Sequence, residues 1–298
     1  MSEFFLELFS EEIPAGLQKN LREKIFEDFK NLFEEKSIRS KKNFSFSTPN
    51  RLVLVFEGLD KQIKIKSKEI RGPKTSAPEQ ALEGFLRSNK INKKDLFKKK
   101  TEKDEFYFYK TVATSLKTHD LLTEFIPKIL SNYQWKKSMK WGEFDLNWGR
   151  PLKSILSIFD KKIVSFKFHH LASSNLTFLD KDFEEKKRSF ENFKKYEKFF
   201  EDNGVIINQN KRLKIINKSF LKILGKKGLK INENPKLMDE VVNLVDSPNV
   251  LLCKFDKKFL SVPKEILTLT MESHQKYFPT FNDKNEITNE FLIVTNKK

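Results

Sequence analysis

Glu3-Phe4-Phe5-Leu6-Glu7-Leu8-Phe9-Ser10-Glu11-Glu12-Ile13-Pro14 decides the reading of the fold. Phe4, Leu6 and Leu8 recur at period two, as in a half-buried strand. Pro14 fits the first turn of a helix, where its missing N–H costs nothing. Leu17, Leu21, Ile25, Phe29 and Leu32 follow at spacings of three to four and predict a helix of roughly twenty residues. Phe44 and Phe46, the turn Thr48-Pro49-Asn50 and the run Leu52 to Phe56 read as strand–turn–strand. Ile63 and Ile65 mark a further strand that ends at Arg71-Gly72-Pro73. Strands around one long helix make an α+β pattern.

The same alternation continues. A helix is expected from about Pro78 to Ser88 and a strand from Phe106 to Val112, while Lys98-Lys99-Lys100, followed by Glu102, Asp104 and Glu105, reads as an exposed loop. Thr118 or Asp120 caps a helix to about Leu130, which Pro127 should kink or shorten. Pro151 opens a short helix, and Ile163 to Phe168 reads as a strand. Asp182 to Asp202 reads as one charged helix with Phe183, Phe190, Phe193, Phe199 and Phe200 toward a core, stopped at Asn203-Gly204. A basic helix follows, then a helix from Pro235 to Leu244, a buried strand from Val250 to Phe255 and a helix from Pro263. Tyr277–Phe281 and Phe291–Thr295 form a hairpin around Asn282-Asp283-Lys284-Asn285. The expected architecture is multi-domain α+β. A strand-rich region covers 1–175, itself divisible into 1–72 and 73–175, and a helix-rich α+β region covers 176–298, with the seam near 171–182.

Composition bounds the function. Of 298 residues 38% are hydrophobic and 30 are Phe, enough for a large core. No apolar run approaches the roughly 20 residues of a membrane span, and the acidic start does not resemble a secretory signal. Cys253 is the one cysteine, which excludes an internal disulfide and, within an apolar run, reads as a buried thiol. A cytoplasmic protein without a membrane partner is expected. The net charge of +17 fits a polyanion partner, but Lys, Asn, Phe and Ile all have A/T-rich codons, so base composition of the genome explains it equally well.

Clustering discriminates between these. Lys211 to Lys230 holds eight basic residues and no acid. Lys211, Lys214, Lys218 and Lys222 share one helical face, while Leu213, Ile216, Phe220 and Ile223 form a separate apolar stripe. The row reads either as a phosphate-backbone contact or as a solvated surface. Met139-Lys140-Trp141-Gly142 with Trp148-Gly149-Arg150-Pro151 combines aromatics and cations, and reads either as a stacking and phosphate surface or as a core aromatic pair at a hairpin. His274-Gln275-Lys276-Tyr277 reads either as a contact to a nucleotide or partner, or as capping of a helix end. Dinucleotide, P-loop, zincin and serine-hydrolase signatures are absent, so no catalytic residue is assigned. Gly225-Lys226-Lys227-Gly228 reads as a helix C-cap, and His169-His170, on opposite strand faces, is not a metal pair. No metal site is expected.

In this order the motifs resemble one family, the beta subunit of bacterial heterotetrameric glycyl-tRNA synthetase. Glu11-Glu12-Ile13-Pro14 is similar to the family's Glu-Glu-Leu-Pro, and Thr48-Pro49-Asn50-Arg51-Leu52 to its Thr-Pro-Arg-Arg-Leu. Arg71-Gly72-Pro73, Glu83-Gly84-Phe85, Lys140-Trp141-Gly142 and Arg150-Pro151 each have a counterpart. Thr270-Met271 with His274-Gln275-Lys276-Tyr277-Phe278-Pro279 is the most specific match. Asn175-Leu176-Thr177-Phe178-Leu179-Asp180 stands where the family has Gly-His-Arg-Phe, and Asn50 replaces its first Arg.

The resemblance implies a non-catalytic subunit that binds tRNA(Gly) and docks the alpha subunit in an alpha2beta2 assembly. ATP-dependent attachment of glycine then takes place on the alpha subunit, with ATP and Mg2+ bound in the holoenzyme and no cofactor on this chain. The chain is thus expected to belong to a ligase yet to be inactive alone, with no DNA partner. It also implies helical HD-type and anticodon-binding domains beyond the part represented here. The rival reading is a stand-alone RNA-binding or assembly protein derived from that subunit without aminoacylation function.

Overall fold

The computed structural model describes residues 2–65, 67–101, 104–179 and 187–296. It opens as the sequence predicts, with β1 (Glu3–Ser10), α1 (Ala15–Glu35), β2 (Lys42–Thr48) and β3 (Arg51–Glu57). Two units are distinguishable: Met1–Asp60 with Leu122–Lys298, and the smaller Lys61–Leu121.

The small unit contains β4 (Gln62–Ile65), β5 (Glu69–Lys74), α2 (Glu79–Asn89), β6 (Leu96–Lys100), β7 (Glu105–Lys110) and β8 (Thr114–Lys117). β4 pairs with β8, and β5-β7-β6 form an antiparallel sheet. Two expectations change here. Arg71-Gly72-Pro73 lies inside β5 as a bulge rather than ending a strand. Lys98-Lys99-Lys100 is a strand, not a loop, because the aromatic row of β7 gives the lysines something to lie on: the Lys99 ammonium sits 5.6 Å from the Phe108 ring centre.

α3 (Thr118–Asn132) runs through Pro127 to Asn132. Buried Leu122 and Ile126 before the proline, and Ile129 and Leu130 after it, anchor the helix on both sides of the missing hydrogen bond. The short helix expected after Pro151 is instead β9 (Leu152–Phe159). Leu152, Ile155, Leu156, Ile158 and Phe159 are all buried, so a strand covered on both faces imitates helical spacing. The strand expected over 163–168 is split into β10 (Lys162–Ile163) and β11 (Lys167–Phe168), followed by β12 (Leu171–Ser174) and β13 (Leu176–Phe178). The predicted helix over 182–202 is shorter. β14 (Lys187–Ser189) pairs with β13, α4 is Phe193–Asp202, and Asp182 and Phe183 lie outside the described residues.

β11-β12-β9-β1-β3-β2, with β10 on β9, make a seven-stranded sheet around β1. β1 is not half-buried: α1 covers one face and α4 the other. Phe29 lies 5.4 Å from Phe4, and Phe193 and Tyr196 lie 5.6 and 4.9 Å from Phe5. One buried cluster joins Phe5, Phe46 and Val53 to Phe190, Tyr196 and Phe200.

α5 (Gln209–Lys227), β15 (Lys230–Ile231), α6 (Pro235–Leu244), β16 (Pro248–Lys254), α7 (Lys264–Leu269), β17 (Phe278–Phe281) and β18 (Ile287–Asn296) complete the chain. Ile216, Phe220 and Leu224 of α5 and Val241 of α6 pack on Phe278 and Leu292 of the sheet β15-β17-β18-β16. β16 is an edge strand and only half-buried, so Cys253 is partly accessible, not enclosed. Arg212 ties this part to the first sheet. Its buried guanidinium donates to the carbonyls of Val242 (3.0 Å), Ile206 (2.7 Å), Ile207 (3.0 Å) and Ser47 (2.8 Å). Gln209 accepts from the Ser47 N–H and donates to the Ser45 carbonyl, both at 3.3 Å. Gln18 donates to the carbonyls of Ile13 and Asn243.

Candidate nucleic-acid interface

α5 begins at Asn208, whose side-chain oxygen accepts the N–H groups of Asn210 and Lys211, and ends at Gly228 in the left-handed region. Ile216, Phe220 and Leu224 face the core, which turns Lys211, Lys214, Lys218 and Lys222 to solvent. The row is not uniform. Lys211 is bound by Glu201 (2.7 Å) and Glu197 (2.9 Å) of α4, and these contacts raise its pKa. It is therefore not the unpartnered cation that the local sequence predicts. Lys214, Lys218 and Lys222 have no ion-pair partner among the described residues. They recur at one-turn intervals, about 6 Å apart along the axis, and form a line of free cations. Arg212, within the same basic run, has a structural role: burial pushes its pKa down to about 10, and carbonyls take all its bonds.

The tryptophan segment resolves mostly into packing. Met139 and Trp148 exchange backbone hydrogen bonds of 2.8 and 3.1 Å, closing a hairpin. Trp148 is 2% exposed, wedged against Trp135 (4.9 Å) and Phe168 (5.8 Å), so it offers no stacking surface to a ligand. A Cβ at Gly149 would collide with the Trp135 ring, which explains the glycine. Arg150 is half-buried and donates to the Gly149 carbonyl at 2.8 Å. Lys140 is exposed, and Trp141 remains partly open, edge-on to His170 at 5.8 Å. His170 stacks on Phe144 at 3.6 Å, and burial followed by the His169 charge lowers its pKa.

The segment Thr270–Gln275 is a π turn continuing α7, and Lys276 follows with φ 59°. The Lys276 ammonium reaches Glu240 of α6 at 3.0 Å and the Ser273 carbonyl at 2.9 Å, which is helix-end capping with a tie to the neighbouring helix. His274 is exposed. Gln275 and Tyr277 line an apolar cleft of about 230 Å3 with Phe255, Phe259, Met271 and Phe291, where Tyr277 stacks on Phe291 at 4.9 Å. The four residues do not converge on one point.

Arg51 of the Thr-Pro-Asn-Arg-Leu step is buried. Its Nε lies 3.0 Å from Glu7, its guanidinium lies between the rings of Phe9 (4.7 Å) and Phe200 (4.5 Å), and Nη2 donates to the Phe178 and Leu179 carbonyls. Tyr196 donates to the same Glu7 carboxylate at 2.9 Å. Burial raises the pKa of Glu7 despite the Arg51 charge, and raises that of Tyr196. In the small unit Gly72 lies against Phe85, where a Cβ would sit 2.9 Å from the ring, so Arg71-Gly72-Pro73 and Glu83-Gly84-Phe85 meet. Sequence reasoning left the roles of Glu7, Arg51 and Arg212 unassigned, since their partners are distant in the chain.

Among the described residues, no group of three or more His, Cys, Asp or Glu side chains gathers to hold a metal, and no helix is long and apolar enough to cross a membrane.

Arg51 and Gly72 thus serve the fold, while Arg71, Lys140 and His274 stay exposed. Comparison with known proteins points to the family that the motifs resemble. The glycyl-tRNA synthetase beta subunit family matches residues 4–298. The chain is 39% identical over 296 residues to the glycine–tRNA ligase beta subunit of Rickettsia bellii, covering 99% of this chain and 45% of that protein. It is 37% identical over 298 residues to the Rickettsia felis protein, again 99% of this chain and 45% of the relative, and 38% identical over 296 residues to that of Rickettsia conorii, with 99% and 44% covered. The chain spans about half the length of these relatives. A family match along almost the whole chain means that the chain belongs to the glycyl-tRNA synthetase beta subunit family.

Proposed function

We propose that the chain is a non-catalytic tRNA-binding and assembly part of a glycine–tRNA ligase. It holds tRNA(Gly) and docks an alpha subunit in an alpha2beta2 assembly in the cytoplasm, and ATP-dependent attachment of glycine takes place on that alpha subunit, where ATP and Mg2+ bind. The observation that carries this reading is the line of free cations Lys214, Lys218 and Lys222 on a chain of this family. The contribution to the reaction is positional: binding energy from the tRNA body orients its reacting end at a remote site. The lysines contact phosphates, so this part of the affinity comes from counterion release and carries no base identity.

Two outcomes are expected. In filter binding of tRNA at two salt concentrations, Lys214→Glu/Lys218→Glu weakens affinity and flattens the slope of log K against log salt by about 0.7–0.9 for each lost contact. Unchanged affinity and slope, with the fold intact, would assign the row to plain surface. In glycine-dependent ATP–pyrophosphate exchange, the purified chain stays at background, and glycylation appears only on mixing with an alpha subunit. Exchange by the chain alone would place catalysis here. RNA binding without any stimulation of an alpha subunit would favour the stand-alone RNA-binding protein.

A further inference from the structure

The small unit Lys61–Leu121 carries sixteen Lys and Arg against eight Asp and Glu, a net of +8. That is nearly half of the chain's +17 on about a fifth of its length. Within it, the β5-β7-β6 sheet gathers aromatic rings and cations on one face. Phe97 of β6 pairs with Phe108 of β7, and Arg71 of β5 pairs with Phe108 from the other side. Lys99 and Lys74 flank Phe106 in the same way. Residues directly opposite share a face, so these six side chains lie on one side of the sheet, with Phe106 buried beneath Arg71 and Lys74.

Its geometry is that of a stacking platform. Phe97 and Phe108 lie 6.0 Å apart with ring planes 27° from parallel, and Phe97 is 37% exposed. More than a third of Phe97 is thus left open to solvent. The Arg71 guanidinium lies 3.6 Å from the Phe106 ring centre. It is exposed and has no hydrogen-bond or ion-pair partner among the described residues, so its N–H edges are free to donate while its plane rests on the ring. Lys99 and Lys74 pair with Glu69 (2.9 Å) and Asp104 (2.6 Å), but these are exposed contacts of the kind that a phosphate displaces at little cost. Rings that accept any base, beside cations that accept phosphates, match the chemistry of unpaired RNA; an acidic peptide would use the cations and leave the rings idle.

We propose that this sheet face binds unpaired nucleotides, with bases stacked on Phe97 and Phe108 and a phosphate held by Arg71. The site is distinct from the α5 lysine row. It rests on the reading of the chain as RNA-binding and adds to it a preference for single-stranded over duplex RNA.

The test uses the whole 298-residue chain and fluorescein-labelled RNA of about twelve nucleotides, single-stranded or as a duplex, in anisotropy titrations. Phe97→Ala/Phe108→Ala should bind the single strand about tenfold or more weakly and leave duplex affinity within about twofold. Independently of any variant, 4-thiouridine in the single strand should cross-link to wild-type peptides from residues 96–110. Loss confined to single strands with cross-links there supports the site. Unchanged single-strand affinity, cross-links only elsewhere, or aromatic-dependent binding of an acidic peptide but not RNA would each overturn it. If Lys214→Glu/Lys218→Glu weakens duplex binding while the aromatic variant is silent, this site alone fails. If the wild-type chain binds no RNA, the functional reading fails with it.

Discussion

Replacing Arg212 by methionine is expected to destabilise the larger unit by about 3–5 kcal/mol, since four carbonyls would lose the one cation that satisfies them in a closed interior. Arg212 is fully buried, and its partners come from β2, the 206–207 turn and α6, so no single neighbour can compensate. Arg212→Lys should recover only part of this, because a compact ammonium with three donors cannot reach carbonyls spread around a planar fork. Urea unfolding followed by tryptophan fluorescence measures the effect cleanly. Trp135, Trp141 and Trp148 all lie in the larger unit, so the signal reports the unfolding of that unit. A loss below about 1 kcal/mol would show that those carbonyls find other donors.

The second large effect concerns the Glu7–Arg51 pair. Arg51→Met should cost about 3–5 kcal/mol by leaving the Glu7 carboxylate uncompensated in the sheet core. Glu7→Gln/Arg51→Met should be much closer to the wild type, since the amide still accepts the Tyr196 hydroxyl and methionine fills the space between Phe9 and Phe200. A pH signature accompanies the single variant. Burial already raises the Glu7 pKa above its ordinary value, and loss of the Arg51 charge raises it further. The unfolded chain has the lower pKa, so the penalty is present above the folded pKa and relieved as pH falls through it. The gap between Arg51→Met and the wild type should therefore narrow on acidification, whereas a gap caused by lost packing alone would not move.

Elements with one buried face were legible in the sequence. α1, α5 and α6 lie within a few residues of their expected places because one apolar stripe marks each, and the β2–β3 and β17–β18 pairs because the turns Thr48-Pro49-Asn50 and Asn282-Asp283-Lys284-Asn285 divide them. β9 was not legible, because burial on both faces removed the period-two signal and left Leu152, Ile155, Leu156 and Phe159 at helical spacing. β6 was hidden by its own lysines, whose partners are rings on the next strand. The candidate site divides along the same line. The face of Lys214, Lys218 and Lys222 follows from helical geometry alone, but Lys211 is neutralised by carboxylates ten and fourteen residues upstream on another helix. Trp148 was ambiguous for a related reason, since nothing local distinguishes a ring meant for a base from one meant for Trp135.

Gln209 has a consequence for how the molecule behaves at high concentration. β2 is a terminal strand of the seven-stranded sheet, and the Ser47 N–H and Ser45 carbonyl point away from β3. Such an open border invites a strand from another molecule to zip onto it, the first step of aggregation. The Gln209 side-chain amide presents one acceptor and one donor to those two groups, as the peptide unit of an added strand would, and Arg22 holds the Ser47 hydroxyl at 2.7 Å alongside. One glutamine thus occupies the place of an intruding chain and keeps the rim of the sheet from self-association.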